Sequence, residues 1–315
     1  MQVSNKTRRK KLKINTCGKL YTPKDSPFYN ITTKAKLSTI LCSEVKLLNQ
    51  LKSDENYQVF SIEKPNGGER IIETPKYGLD VVHTRIASLL TRVSTPDYLH
   101  SGIKKRSNIT NAKVHIGDHP VLTMDIKKFY PSVTKKSVFH LFTKMFNMSP
   151  DVAGLLAEIC TYKNHIPTGS RISMPLSFWA NFQMYERLNS LCLSRNVKMT
   201  VYVDDLTFSG LNVNKAFQKD VTQIIDAAGL VIHPDKTHLY ERKAKKLITG
   251  VIVGTTEIKV RNRHHKLIYE LFNKREIATD ENHLATINSQ LLSRLVAAGQ
   301  IETVFKQRAI SLLDK

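Results

Sequence analysis

Cysteine is scarce in this 315-residue chain. The four present, Cys17, Cys42, Cys160 and Cys192, stand far apart with no C-x-x-C pair. That spacing argues against a zinc site and for reduced thiols in a cytosol. Long apolar runs are missing, so no membrane span is expected. The basic N-terminus has no apolar stretch behind it, so no signal peptide is expected either. Internal repeats and low-complexity tracts are absent. Acidic residues are also in deficit: 27 Asp and Glu face 48 Lys and Arg, a formal net charge of +21. An excess of that size argues for a polyanionic partner, and nucleic acid fits better than a membrane. With 41% hydrophobic residues the chain can bury a core, and its length suits one multi-lobed enzyme or two domains.

The most informative stretch is Tyr202-Val203-Asp204-Asp205, set between Met199-Thr200-Val201 and Leu206-Thr207-Phe208-Ser209. It reads as a short β-hairpin with β-branched and aromatic arms and two adjacent carboxylates at its tip. Adjacent carboxylates repel, and a hard divalent cation such as Mg²⁺ relieves that repulsion through oxygen ligands. A solvated Asp-Asp turn is the alternative. Upstream, residues 121–132 read as an apolar strand delivering Asp125 at its end. A buried strand rarely carries Asp without a partner or a metal. Asp125, Asp204 and Asp205 together make a cluster able to bridge two metal ions, activate a 3′-hydroxyl and stabilise a leaving pyrophosphate.

The remaining elements follow from periodicity and caps. Tyr57-Gln58-Val59-Phe60-Ser61-Ile62 and Arg70-Ile71-Ile72 flank Asn66-Gly67, a strong hairpin signal. Val138, Phe139, Leu141, Phe142, Met145 and Phe146 recur at helical spacing, and Ser149-Pro150 opens another helix as N-cap and first residue. A helix over residues 213–228 carries Phe217, Val221, Ile224 and Ala228 on one face and stops at Gly229. Residues 247–253 and 257–260 read as a hairpin around Gly254-Thr255-Thr256, and the pattern is helical after Arg261. The Arg8-Arg9-Lys10-Lys11 run is either a solvated tail or an arm laid on RNA phosphate.

Asp-x-x-x-Phe-Tyr from Asp125, followed by Tyr-Val-Asp-Asp at Tyr202, resembles motifs A and C of reverse transcriptases. Residues 64–75 fit the fingers pattern K-x-x-G-x-x-R-x-I-x-x-P. Residues 229–237 resemble the stretch after the palm helix, with its lysine at Lys236. Asn111-Ala112-Lys113-Val114-His115 fits the N-A-x-x-H signature of bacterial retron-type enzymes. Ile248-Thr249-Gly250 is similar to their V-T-G signature, with Ile for Val. The resemblance covers roughly residues 26 to 300.

The resemblance implies an α+β, right-hand polymerase with an antiparallel palm sheet backed by helices. It places a basic segment at 1–24, fingers at 25–115, palm at 116–253 and a helical thumb at 254–315. Asp125, Ile126, Asp204 and Asp205 would hold two Mg²⁺ ions, with Mn²⁺ as substitute. Lys64, Arg70, Tyr130, Gly169 and Lys236 would meet the nucleotide, with Tyr130 as the aromatic gate against a 2′-hydroxyl. Four of them have a plainer alternative: solvated charges for Lys64, Arg70 and Lys236, and a core ring for Tyr130. Ser107, Asn111, His115, Arg171, Thr249 and Gly250 would contact RNA, although His115 is equally readable as a hydrogen-bonded core histidine. Retron membership further implies RNA-directed synthesis from dNTPs in a bacterial cytoplasm. A structured noncoding RNA would serve as template and primer and end in a branched RNA–DNA product. It also implies a nearby effector protein and a role in antiphage defence. Another bacterial reverse transcriptase, intron-like or defence-associated, and a noncatalytic RNA-binding protein of the same fold remain open.

The main departure is Ile166-Pro167-Thr168-Gly169-Ser170-Arg171-Ile172-Ser173-Met174-Pro175, where the family's motif B reads L-P-Q-G-x-P-x-S-P. Thr168 replaces Gln, Arg171 replaces the second Pro, and Met174 separates Ser173 from Pro175. Gly169 still permits close backbone approach to the templating pair, and Arg171 can hold template phosphate.

Overall fold

A computed structural model describes residues 12–64 and 67–313. The Arg8-Arg9-Lys10-Lys11 run and Asn66 lie outside the described residues. The chain forms two compact units. One comprises residues up to Pro96, Lys127–Tyr185 and Ala228–Leu230; the other comprises Asp97–Ile126, Glu186–Ala227 and Val231–Lys315.

The first unit carries an antiparallel ribbon of β1 (Tyr57–Glu63) and β2 (Glu69–Pro75), paired from Tyr57↔Pro75 to Glu63↔Glu69. Gly67 and Gly68 have φ of +83° and +81°, a left-handed conformation that glycine adopts at no steric cost, which is how the expected turn closes. Around the ribbon stand helices, the longest being Tyr77–Leu90, with Leu79, Val82, Ile86 and Leu90 buried. The helix read from Val138 onwards runs as Lys135–His140 and continues as a wider turn, Leu141–Met145. Its Phe142 packs with Phe28 and Phe146, ring centroids 6.1 and 6.3 Å away. Helix Pro150–Ile159 starts where expected, but Ser149 does not cap it: its Oγ donates instead to Thr32 O and Asp151 Oδ1.

The second unit is built on a four-stranded antiparallel sheet of β3 (Val121–Asp125), β4 (Lys198–Tyr202), β5 (Asp205–Ser209) and β6 (His238–Tyr240), in the order β4-β5-β3-β6. Helix Lys215–Ala227 buries Phe217, Val221 and Ile225. The expected face included Ile224 and Ala228; a strict i, i+4, i+8 stripe selects Ile225 instead, and Ala228 is exposed. The stretch 247–253 is not one strand. Thr249 and Gly250, at φ +43° and +85°, fold it into β7 (Lys246–Ile248) and β8 (Val251–Val253), which β9 (Ile258–Lys259) extends to three strands. Helices Asn262–Ile277, Glu281–Gly299 and Thr303–Leu313 enclose their own core of Ile268, Leu271, Ile287, Leu291, Leu295 and Phe305. Among the described residues no helix is long and apolar enough to cross a membrane.

Candidate active site

Every residue of β3 but one is buried, as is all of β5 except Asp205, which is half-buried. Apolar strands of this kind fix the sheet register, and the register sets Asp125 directly opposite Asp205. Backbone bonds fix the neighbourhood on both sides: Ile126 N–H donates to Asp204 O at 3.0 Å, and His233 N–H donates to Asp125 O at 2.8 Å. Between paired Tyr202 and Asp205 only Val203 and Asp204 make the turn. Val203 takes φ +60°, which a β-branched residue adopts only under strain of about 1–3 kcal/mol. Its N–H donates to Ser101 Oγ at 3.1 Å, a contact that helps hold the turn.

Three carboxylates and one ammonium therefore share one edge of the sheet. Asp125 is 7% exposed, and its Oδ2 accepts from Lys236 Nζ at 2.8 Å. Burial, together with the charges of Asp204 and Asp125, pushes the Asp205 carboxyl up to about 7, against the opposing pull of Lys236. Burial works against the Lys236 charge, but its hydrogen bond to Asp125 and the surrounding carboxylates outweigh that and raise its pKa. A cleft of about 310 Å³ opens here, lined among others by Asp125, Tyr202, Asp205, Lys236, Thr249 and Gly250.

The donor set is all oxygen, which suits a hard divalent cation, and the raised pKa of Asp205 marks an excess of negative charge that a cation would relieve. Among the described residues no three acidic, histidine or cysteine side chains already converge as a metal group.

The two short retron-like stretches meet in this unit. Helix Asn108–Lys113 is capped by Ser107 and Thr110, each side chain accepting from the other's backbone N–H. Thr249 Oγ1 donates to Asn108 O at 2.8 Å, Asn108 Nδ2 donates to Thr249 O at 3.1 Å, and Asn111 Nδ2 lies 3.5 Å from Thr249 Oγ1. Asn111 is 1% exposed. The helix thus shapes the Thr249-Gly250 turn from behind.

His115 has no exposed surface. Its Nδ1 and Nε2 are each 2.7 Å from a hydroxyl, Ser209 Oγ on β5 and Thr200 Oγ1 on β4. Burial pushes its pKa down to about 3, so the ring is neutral. Where RNA contact was expected, the geometry makes His115 a clamp on the hairpin that carries Asp204 and Asp205. Replacing it by Ala leaves two buried hydroxyls without partners and a cavity. We expect His115→Ala to cost about 3 kcal/mol in urea unfolding; a loss under about 0.5 kcal/mol would discount the clamp.

The other expected site residues belong to the first unit. Lys64 and Arg70 are exposed at the ribbon end. Tyr130 is half-buried in the helix Phe129–Ser132, its ring 5.7 Å from that of Phe129. Arg171 is engaged in an ion pair with Asp80. Gly169 makes a close backbone approach, but to β2: its N–H donates to Glu73 O at 3.1 Å. Thr168 completes that docking, its Oγ1 donating to Ile71 O at 2.8 Å and accepting from Glu73 N–H at 3.2 Å, while Glu73 Oε2 accepts from Thr168 N–H at 3.0 Å. The substitution of Thr for Gln is therefore accommodated by a matched edge on β2.

Sequence reasoning missed the anchors of this loop. Glu73 is 6% exposed and also bonds His165 Nε2 at 3.0 Å. His83, wholly buried, donates from Nε2 to Ile159 O at 2.8 Å, so its Nδ1 accepts from Ser170 Oγ at 2.7 Å; burial pushes its pKa down to about 4. An acid among the inward positions of a strand was the available signal for Glu73; His83 had none beyond lying on an apolar helix face.

Residues 62–259 match the family described as reverse transcriptase (RNA-dependent DNA polymerase). The chain is 30% identical over 262 residues to the retron Se72 reverse transcriptase of Salmonella heidelberg, covering 76% of this chain and 68% of that protein. It is 27% identical over 244 residues to the retron Ec86 reverse transcriptase of Escherichia coli, covering 76% of each. Among solved structures, apo telomerase from Candida tropicalis superposes with a TM-score of 0.52 at 12% identity. That match covers 76% of this chain and 52% of the telomerase chain, and it is a likeness of fold alone.

Proposed function

The chain belongs to the reverse transcriptase family, among its retron-type members, and from that membership we propose that it copies a structured noncoding RNA, serving as template and primer, into a branched RNA–DNA product. It is an RNA-directed DNA polymerase with a right-hand fold. The observation that carries the catalytic reading is Asp125 paired opposite Asp205, with Asp204 in the adjoining turn and Lys236 beside them.

In this reading the fingers span 25–115, the palm 116–253 and the thumb 254–315, behind a basic segment at 1–24. Asp125, Ile126, Asp204 and Asp205 hold two divalent cations, Mg²⁺ or Mn²⁺, whose charge would neutralise the phosphates and lower the pKa of the attacking 3′-hydroxyl. Lys64 and Arg70 hold the triphosphate, the guanidinium as a fork and the ammonium as a point charge. Tyr130 packs beneath the sugar and excludes a 2′-hydroxyl. Lys236 delivers charge, or a proton, to the departing pyrophosphate. Gly169 acts through β2, keeping the loop it belongs to docked.

For RNA, Thr249 and Gly250 are the contacting pair. Ser107 and Asn111 act behind them by holding helix Asn108–Lys113 and its turn, and His115 by clamping β4 to β5. Arg171 reaches phosphate only by sharing or leaving Asp80. We further propose a nearby-encoded effector protein and a role in antiphage defence, in a bacterial cytoplasm.

Sequencing the nucleic acid that copurifies with the full chain tests the retron reading. The expected species is one RNA joined to single-stranded DNA through a debranching-sensitive 2′–5′ link. Bulk cellular RNA without linked DNA, in a preparation that still extends a generic primer, would assign the protein to another class of bacterial reverse transcriptase.

A further inference from the structure

Two arginines of the first unit stand without acidic partners among the described residues. Arg92 is 7% exposed. Its Nη2 donates to Asn15 O at 3.2 Å and to Cys17 Sγ at 3.5 Å, but its Nε is buried with no hydrogen-bond partner among the described residues. Arg85, seven residues back on helix Tyr77–Leu90, spends its Nε on Ile40 O at 2.9 Å. Among the described residues no carboxylate forms a salt bridge with either guanidinium. Both line a cavity of about 240 Å³, together with Asn15, Thr84 and Ser88. The buried Tyr21 hydroxyl lies within hydrogen-bonding reach of the Arg92 side chain and near enough to Arg85 to feel its charge.

A buried cation normally has a counter-charge, because desolvating it alone is costly. Hydrogen bonds to carbonyl oxygens offset part of that cost and leave the net charge uncompensated. The cavity wall offers few acceptors of its own. Ser88 Oγ is spent accepting from Asn15 N–H and donating to Thr84 O, and Thr84 Oγ1 donates to Asp80 O. Two guanidinium forks and an unneutralised double positive charge match the geometry and charge of phosphate oxygens.

We propose that this pocket binds a phosphate group, through Arg92 and Arg85, at a site separate from the carboxylate cluster. The same chemistry is offered by a phosphodiester of the bound nucleic acid and by a free phosphate or nucleotide. The site does not depend on the retron reading, since phosphate binding is measured without any synthesis.

The test uses the full chain and two variants. Arg85→Gln removes the half-buried charge, and Arg92→Lys keeps charge but loses the fork. Inorganic phosphate, against chloride at matched ionic strength, is expected to raise the wild-type thermal midpoint by about 2 °C, and both variants to lose that increment. In parallel, RNA affinity is measured over a salt series. If the occupant is an RNA phosphate, Arg85→Gln lowers the slope of log K against log salt by about 0.7, and free phosphate competes with RNA. If the occupant is free phosphate or a nucleotide, the phosphate increment is lost while the RNA slope stays unchanged. No phosphate-specific shift in the wild type, combined with an unchanged RNA slope in Arg85→Gln, would overturn the proposal and leave Arg92 as a tether for residues 15–17.

Discussion

Asp204→Asn is expected to lower nucleotide incorporation by roughly 10³-fold or more, the scale on which phosphoryl transfer depends on its charge-neutralising partners. Asp125→Asn should do the same. The expectation rests on the register: Asp125 faces Asp205 across the β3–β5 pair, and Asp204 follows in the turn. An amide keeps the shape of the carboxylate but removes a unit of negative charge that a divalent ion requires. The fold should not suffer. In chelator, the same substitution is expected to make the protein more stable at pH 8, by on the order of 1 kcal/mol.

The sign follows from Asp205, whose folded pKa is raised to about 7 by burial and its two acidic neighbours. A carboxyl raised in the folded state makes stability fall as pH rises from its unfolded value towards 7, because the folded state holds the extra proton. Removing the Asp204 charge relieves part of that cost. Primer extension with Mg²⁺ and urea unfolding in chelator read the two effects separately. Near-normal synthesis by either variant would remove the catalytic assignment. Loss of synthesis accompanied by loss of folding would instead make these aspartates structural.

Gly169→Ala is the second large effect. A Cβ at this position would stand 2.8 Å from Thr74 Oγ1, 2.9 Å from Glu73 O and 2.9 Å from Ile72 Cγ2. Thr74 could rotate, but the Glu73 carbonyl cannot, because it accepts the Gly169 N–H and belongs to β2. The loop must lift, and the Thr168 bonds to Ile71 and Glu73 go with it. Overpacking of this kind costs about 1–3 kcal/mol, and the lost bonds add to it. A fall of about 5–10 °C in the thermal midpoint is expected, with primer extension reduced alongside. Thr168→Gln, which restores the side chain common in the family, should also destabilise, since the longer amide does not fit the spacing set by Ile71 O and Glu73 N. A wild-type midpoint for Gly169→Ala would mean that the loop is held elsewhere.

Local chemistry was readable from the chain. The β1–β2 hairpin, the Tyr202-Val203-Asp204-Asp205 turn, the start of helix Pro150–Ile159 and the stop at Gly229 follow from propensity, caps and alternation, which act over a few residues. Motif spacing singled out Asp125, Asp204 and Asp205, which the sheet register brings together. It also marked Asn111 and Thr249, without revealing that they lie within 3.5 Å of each other across 138 residues of sequence. Periodicity says which side of an element faces inward and is silent on the partner it meets there. His115 therefore read equally as an RNA contact or a core residue, until Ser209 and Thr200 appeared on its two nitrogens. Arg171 read as a free cation until Asp80 met it.

Composition and order along the chain thus determined the family, the antiparallel sheet and the acidic turn. Tertiary structure decided which polar residues are buried supports and which remain available to a ligand. The reason is physical: a polar side chain is committed by the donor or acceptor that folding brings within 3 Å of it, and that partner lies far away in sequence. Glu73 on β2 holding Thr168, and Arg92 left with a buried Nε unpaired among the described residues, are opposite outcomes of that one rule.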